Sequence, residues 1–118
     1  MQNVDCDVKG RSMKPKNQLT QEIDLVDRFD LRGLGVMTLP KNQGYCGAPY
    51  AFAAVGSLEA FWNRAKMGIP NIGFSEQQII DCSPDNNGCY NGKGYWSLIY
   101  AKVGEGLVIN TRYPYMGR

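Results

Sequence analysis

The sequence predicts a small, mostly helical domain built around one long central helix. Three observations carry that prediction. Tyr50, Ala54, Leu58, Phe61, Trp62 and Ala65 recur at helical spacing after Pro49. Ser75-Glu76-Gln77-Gln78 has the form of a capping box at the head of a second helix. Trp96, Ile99, Tyr100 and Val103 fall at i, i+3, i+4 and i+7. With 118 residues, 43% of them hydrophobic, the chain has room for one globular core.

The elements follow in order. Residues 1–21 are polar and lack periodicity, so they read as an N-terminal tail or the end of a pro-segment. Lys9, Arg11, Lys14 and Lys16 there form a basic run, read as a solvated tail rather than a contact arm. Residues 22–118 make up the domain. Over 22–32 the sequence EIDLVDRFDLR alternates weakly, which predicts a short extended piece. The first helix is expected over 49–67, where proline suits the first position and Gly68 with Pro70 supplies the stop. The second runs over 75–82, with the Ser75 hydroxyl and the Gln78 side chain each satisfying an orphan N–H. Residues 83–88, SPDNNG, are turn chemistry. The third helix spans 95–103 and ends at Gly104 and Gly106; Arg112-Tyr113-Pro114-Tyr115 closes the chain in extended form.

Composition excludes several functions. A net charge of +2 gives no electrostatic case for nucleic acid. No window approaches the ~18 consecutive apolar residues that a membrane span needs. No signal-like apolar stretch follows Met1, consistent with a mature form or a fragment. There is no histidine, so no Cys-His or Ser-His mechanism operates within these residues. The four cysteines, Cys6, Cys46, Cys82 and Cys89, contain no C-x-x-C pair. They point to disulfides in an oxidising compartment rather than to zinc, and no cofactor is implied.

The stretch over 41–62, KNQGYCGAPYAFAAVGSLEAFW, reads as a loop, a Gly-rich turn and a long helix. It resembles the segment of papain-like cysteine proteases (peptidase C1) that carries the reactive thiol, Q-G-x-C-G-x-C-[WY]-A-F. The alignment needs no gap, and the nucleophile position falls on Pro49. Proline cannot attack a carbonyl, so covalent catalysis is lost there. It also lacks the N–H that serves in the family as one of two oxyanion donors, leaving the Gln43 side chain as the other. Losing one such donor alone typically costs ~100–1000-fold in rate.

Four further segments agree with the family in order and near-family spacing, and the resemblance covers 29–118. FDLRGLGVMTLPKNQG is similar to its mature amino-terminus, with Leu31 in place of Trp and Leu39-Pro40 inverting the usual Pro-Val. SEQQIIDC is similar to S-E-Q-E-L-[LV]-D-C, NGCYNGKGYW to G-C-N-G-G before a helix, and TRYPYMG to T-Y-P-Y-x-G.

The resemblance implies an α+β papain-like (cathepsin-like) fold, of which this chain is the mostly helical left domain. The family's catalytic His and Asn lie in the β-rich right half, which these residues are not expected to include; the chain is expected to be an isolated left half or one polypeptide of a larger protein. The resemblance also implies a Cys46–Cys89 disulfide. Cys82's usual partner lies just beyond the YPY segment. Cys6 is similar to the extra N-terminal Cys of mite digestive relatives, which suggests an inactive mite or parasite group 1 allergen-like paralogue. Cys6 and Cys82 are then unpaired, paired with each other, or paired with another chain. In the family's substrate loop, Tyr90, Asn91, Gly92 and Lys93 stand with one extra residue and added bulk, as a relic of that loop.

The resulting expectation is a catalytically inactive homologue, secreted or lysosome-like, that binds a peptide, a protease inhibitor, a propeptide or a host protein. The alternatives are a fragment of a cysteine-type endopeptidase whose right half is on another chain, and a truncated product without function. Tyr50, Phe52, Val55, Phe61 and Trp62 are too many large apolar groups for a one-sided helix, so a bare face is expected, with marginal stability and self-association. Glu59 beside that face is either an interdomain contact or a solvated side chain.

Overall fold

In the computed structural model, residues 26–66, 70–104 and 106–118 are described. Cys6, the basic run, Gly68 and residues 22–25 therefore lie outside the described residues. The first element is a single 3-10 turn, Leu31–Leu34. Asp30 opens it by accepting a hydrogen bond from the Arg32 N–H at 2.9 Å, and Gly35 closes it in the left-handed region. This replaces the extended piece expected through Arg32. An aspartate that caps the backbone two residues on outweighs a weak alternation.

Helix α1 spans Pro49–Ala65. Pro49 occupies its first position, and no side chain caps the preceding Ala48. The helix ends two residues earlier than expected, with the Lys66 N–H donating to the Trp62 carbonyl. Helix α2 spans Glu76–Cys82. Ser75 caps it, its Oγ accepting from the Gln78 N–H at 3.0 Å. Only this half of the expected capping box forms. The Ser75 N–H donates instead to the Val108 carbonyl, and Gln78 Oε1 accepts from the Val108 N–H. Both groups are drawn to the returning chain, where Phe74 and Ile109 form a short antiparallel bridge. Helix α3 spans Gly94–Val103, one residue earlier than expected.

Helix α1 packs against α2 and α3. The core joins Cys46, Ala48, Tyr50, Ala51 and Val55 to Ile79 and Ile80 of α2, with Phe74, Cys89, Tyr100, Leu107 and Tyr115 at its edge. The inward face of α1 differs from the expected one. It runs through Ala51, Val55, Glu59 and Asn63, whereas Phe61 is 75% exposed and Trp62 lies at the surface. Of the five side chains expected to crowd a bare face, Tyr50 and Val55 are buried and Phe52 is half-buried against the Tyr115 ring. On α3 the buried residue is Ser97, and Val103 is exposed. Polar side chains turn inward in both helices because they find partners there, which apolar periodicity alone does not register.

The Cys46–Cys89 disulfide ties the loop before α1 to the loop before α3, with a Cα–Cα distance of 4.6 Å. Tyr50 Oη reinforces it by donating to the Gly88 carbonyl at 2.6 Å. Cys82 is an exposed free thiol. Closing a loop with a sequence separation of 43 residues stabilises by up to about 4 kcal/mol on the chain-entropy model. The double substitution Cys46→Ala, Cys89→Ala should therefore lower unfolding stability by about 2–4 kcal/mol. Cys82→Ser should change it by less than about 0.5 kcal/mol. Denaturant titration measures both, and equal effects would refute the assignment of roles.

Candidate functional site at the start of α1

The loop that leads into α1 is held by its own backbone and by one tyrosine from the end of the chain. The Cys46 N–H donates to the Gln43 carbonyl at 3.3 Å, and Tyr115 Oη donates to the same carbonyl at 2.6 Å. Asn42 Oδ1 accepts from the Gly44 N–H. Ala48 then receives the Ala51 and Phe52 N–H groups as the helix begins. Pro49 follows Ala48 at the surface. The first N–H groups of a helix have no intrahelical acceptor, so proline costs α1 no bond. Gln43 keeps its side-chain amide free of hydrogen bonds to any described residue.

Across from this loop, residues 86–93 form a tight, cross-braced turn. Asn87 and Asn91 pair as an isolated bridge, and Asn86 Oδ1 accepts from the Lys93 N–H at 2.8 Å. Two glycines permit the close packing of the two loops. A Cβ on Gly47 would lie 2.5 Å from the Cys89 carbonyl oxygen, and one on Gly92 would lie 2.6 Å from the Tyr50 ring. Neither site leaves room for a side chain. The disulfide and these contacts bring the sequence-predicted residues Cys46, Cys89, Tyr90, Asn91, Gly92 and Lys93 together.

A cleft of about 480 Å³ runs beside the disulfide, lined by Tyr45, Cys46, Asn87, Cys89, Tyr90 and Arg118 among others. Tyr45 and Tyr90 are almost wholly exposed at its rim. Gln43, Pro49, Asn91, Gly92 and Lys93 do not line it. Cys82 stands apart at the end of α2, and Cys6 lies outside the described residues. Among the described residues no cluster of three His, Cys, Asp or Glu side chains could hold a metal ion.

A second polar centre lies under the chain that precedes the loop. Glu59 is not a solvated side chain; it is 1% exposed. Its Oε1 accepts from Lys41 Nζ and from the Phe74 N–H at 2.7 Å, and its Oε2 from Thr38 Oγ1 at 2.6 Å. Lys41 Nζ also donates to Glu76 Oε1 at 2.5 Å. Burial by itself lowers the pKa of the Lys41 ammonium, but its hydrogen bonds to Glu59 and Glu76 and their charges prevail and hold it above the ordinary 10.5. Sequence reasoning missed this centre. Its one available signal was that Glu59 continues the i, i+4 row of Ala51 and Val55.

A long helix opened by a bridged loop, packed on two shorter helices, is the helical left domain of a papain-like cysteine protease. The sequence profile described as "Papain family cysteine protease" matches residues 25–118, and the chain belongs to that family. It is 38% identical to Vinckepain-1 of Plasmodium vinckei over 80% of its own length and 18% of that protein's. It is 39% identical to Testin-2 of Rattus norvegicus over 77% of its length and 27% of that protein's. Among solved structures it is similar to the proform of Amb a 11, a cysteine protease and major ragweed pollen allergen, with a TM-score of 0.74 and 35% identity. That match covers 84% of this chain and 30% of the other. The chain thus spans well under half the length of the relatives it matches.

The buried Lys41 bridge makes two predictions. Lys41→Met should destabilise the fold by about 3 kcal/mol, because it leaves two buried carboxylates without their counter-charge; a change below about 1 kcal/mol in chemical denaturation would refute the bridge. Folding raises the Lys41 pKa above its unfolded value, so this stabilisation is complete below about pH 10 and fades as pH climbs through the raised value. Burial raises Tyr50 and Tyr115 above 10.0, with the same sign. Thermal melts should therefore show Tm falling above about pH 10, and more steeply than in Lys41→Met.

Proposed function

We propose that this chain is a catalytically inactive papain-family homologue with a binding role toward a peptide, a protease inhibitor or another protein, in a secreted or lysosome-like setting. The observation that carries the reading is Pro49 at the first position of α1. That is where the family resemblance puts the reactive thiol. The nearest sulfur in sequence, on Cys46, is consumed in the disulfide. The 118 residues also contain no histidine to act as base. Gln43 remains as a lone oxyanion-type side chain, and the rim tyrosines Tyr45 and Tyr90 offer rigid aromatic surface for peptide contact.

A second reading is favoured by the share of the relatives that the chain spans, 18% of Vinckepain-1 and 27% of Testin-2. On it, the chain is part of a cysteine-type endopeptidase whose right half lies elsewhere. Catalysis would then need a thiol other than the bridged Cys46.

Peptidase assay of the purified chain separates the readings. The expected result is no turnover of fluorogenic peptides that a thiol-directed inhibitor can suppress. Pro49→Cys should restore none in this polypeptide, since the base is still missing. Inhibitor-sensitive turnover by the unaltered chain would overturn the proposal.

A further inference from the structure

Two Asn-Gly steps lie in the turn over 86–93, Asn87-Gly88 and Asn91-Gly92. Both asparagines are exposed. Only Asn91 folds its side chain back on the following peptide, its Oδ1 accepting from the Gly92 N–H at 2.8 Å. With a C=O bond of about 1.23 Å, that contact keeps Asn91 Cγ within about 4.0 Å of the Gly92 nitrogen. Among the described residues Asn87 bonds through its backbone alone, its N–H donating to the Asn91 carbonyl and its carbonyl accepting from the Tyr90 N–H.

The turn holds Asn91 and Gly92 in this arrangement. The Asn91 carbonyl is anchored by the Asn87 N–H at 2.8 Å, and the Lys93 N–H is anchored on Asn86 Oδ1 at 2.8 Å. Gly92 sits between these anchors against the Tyr50 ring, where a Cβ would lie 2.6 Å away. Among the described residues its N–H has no acceptor besides Asn91 Oδ1, and Asn91 Nδ2 donates to none. The nitrogen therefore gives up no outside partner on reacting, and the amide nitrogen of an exposed side chain is free to leave into water. A nucleophile and a carbonyl held this close need little reorganisation to meet. Glycine sets no Cβ against a closing ring.

We propose that Asn91 is a site of spontaneous deamidation, through a cyclic imide closed by the Gly92 nitrogen. The Gly92 nitrogen gives its proton to hydroxide and bonds to Asn91 Cγ. The Cγ–Nδ2 bond breaks, and Nδ2 takes a proton from water and leaves as ammonia. Water then opens the five-membered ring. Cleavage of the new N–Cγ bond gives aspartate. Cleavage between the nitrogen and the main-chain carbonyl carbon gives isoaspartate, in which the chain runs through Cγ. Water is the only co-reactant, and no redox change occurs. Either product replaces a neutral amide by a carboxylate, lowering the formal net charge by one from +2. Isoaspartate also inserts a methylene between the two anchors, where the packing of Gly92 on Tyr50 leaves no slack. The proposal is independent of Pro49, and its failure would leave the reading of that position untouched.

The test ages the full, disulfide-bonded chain in mildly alkaline buffer and compares it with an unaged control. After reduction and digestion, fragment mass spectra score each asparagine separately. Asn91 should gain about 1 Da. It should appear as both aspartate and isoaspartate, the latter detected with isoaspartyl methyltransferase. In the folded chain it should react about fivefold or more faster than Asn87. In the reduced chain in urea, without the turn, the two steps should react within about twofold of each other. Asn91→Gln, whose longer side chain needs a six-membered ring, should lose the reaction at that position and leave Asn87 at its own rate. Equal or faster conversion at Asn87 in the folded chain would overturn the proposal. So would a folded chain in which Asn91 stays intact while the unfolded chain reacts. Conversion to aspartate without isoaspartate would overturn the cyclic imide as the route.

Discussion

The junction of two loops at the Cys46–Cys89 bridge is the constraint on which the rest depends. The bridge alone fixes two points in the chain. The close approach of Gly47 to the Cys89 carbonyl converts that tether into a packed surface. The Tyr50 hydroxyl then locks the same loop from within α1, through the Gly88 carbonyl. As a result the first turn of α1 is held on its loop side before any helix–helix packing is counted. A helix without a side-chain cap, as α1 is, gains most from such external support.

At its other end α1 is held by polar chemistry. Asn63 donates to the Val36 carbonyl at 3.2 Å and accepts from the Ile72 N–H at 3.0 Å. Glu59 joins Thr38, Lys41 and Phe74. These two side chains therefore gather the strand of chain before the loop and the strand after α1 onto one helix face. Gln77 does similar work on α2, accepting from the Met116 and Gly117 N–H groups and donating to the Arg118 carbonyl. Much of this small fold is irregular chain, whose backbone groups find no ladder partners. Buried amides and carboxylates supply the missing partners.

That division explains what the sequence made legible. Pro49, Ser75 and Gly104 each act on the backbone within a turn of themselves, so the helix starts and stops could be read to within two residues. The inward face of α1 could not. Glu59 and Asn63 look solvent-directed by composition, and the partners that draw them inward lie at sequence separations of 9–27 residues. The lost half of the capping box has the same cause, since Gln78 is claimed by Val108, 30 residues on. At the candidate site, the disulfide was legible through the family's spacing. The Lys41 bridge to Glu59 and Glu76 was not, because it joins residues 18 and 35 positions apart that no local pattern pairs.

The position of Pro49 shows why chemistry and scaffold separate so readily in this architecture. Its ring is at the surface, and its missing N–H falls where a helix makes no bond. The disulfide, the Gly47 contact, the Tyr115 bond to Gln43 and the Lys41 bridge all form through other atoms. None of them requires a thiol at the start of α1. Proline at that position is compatible with both the cleft beside Tyr45 and Tyr90 and the cavity lined by Glu59 and Glu76. The residue type at the first position of α1 is thus a local matter, and the surrounding scaffold is held by contacts that do not involve it.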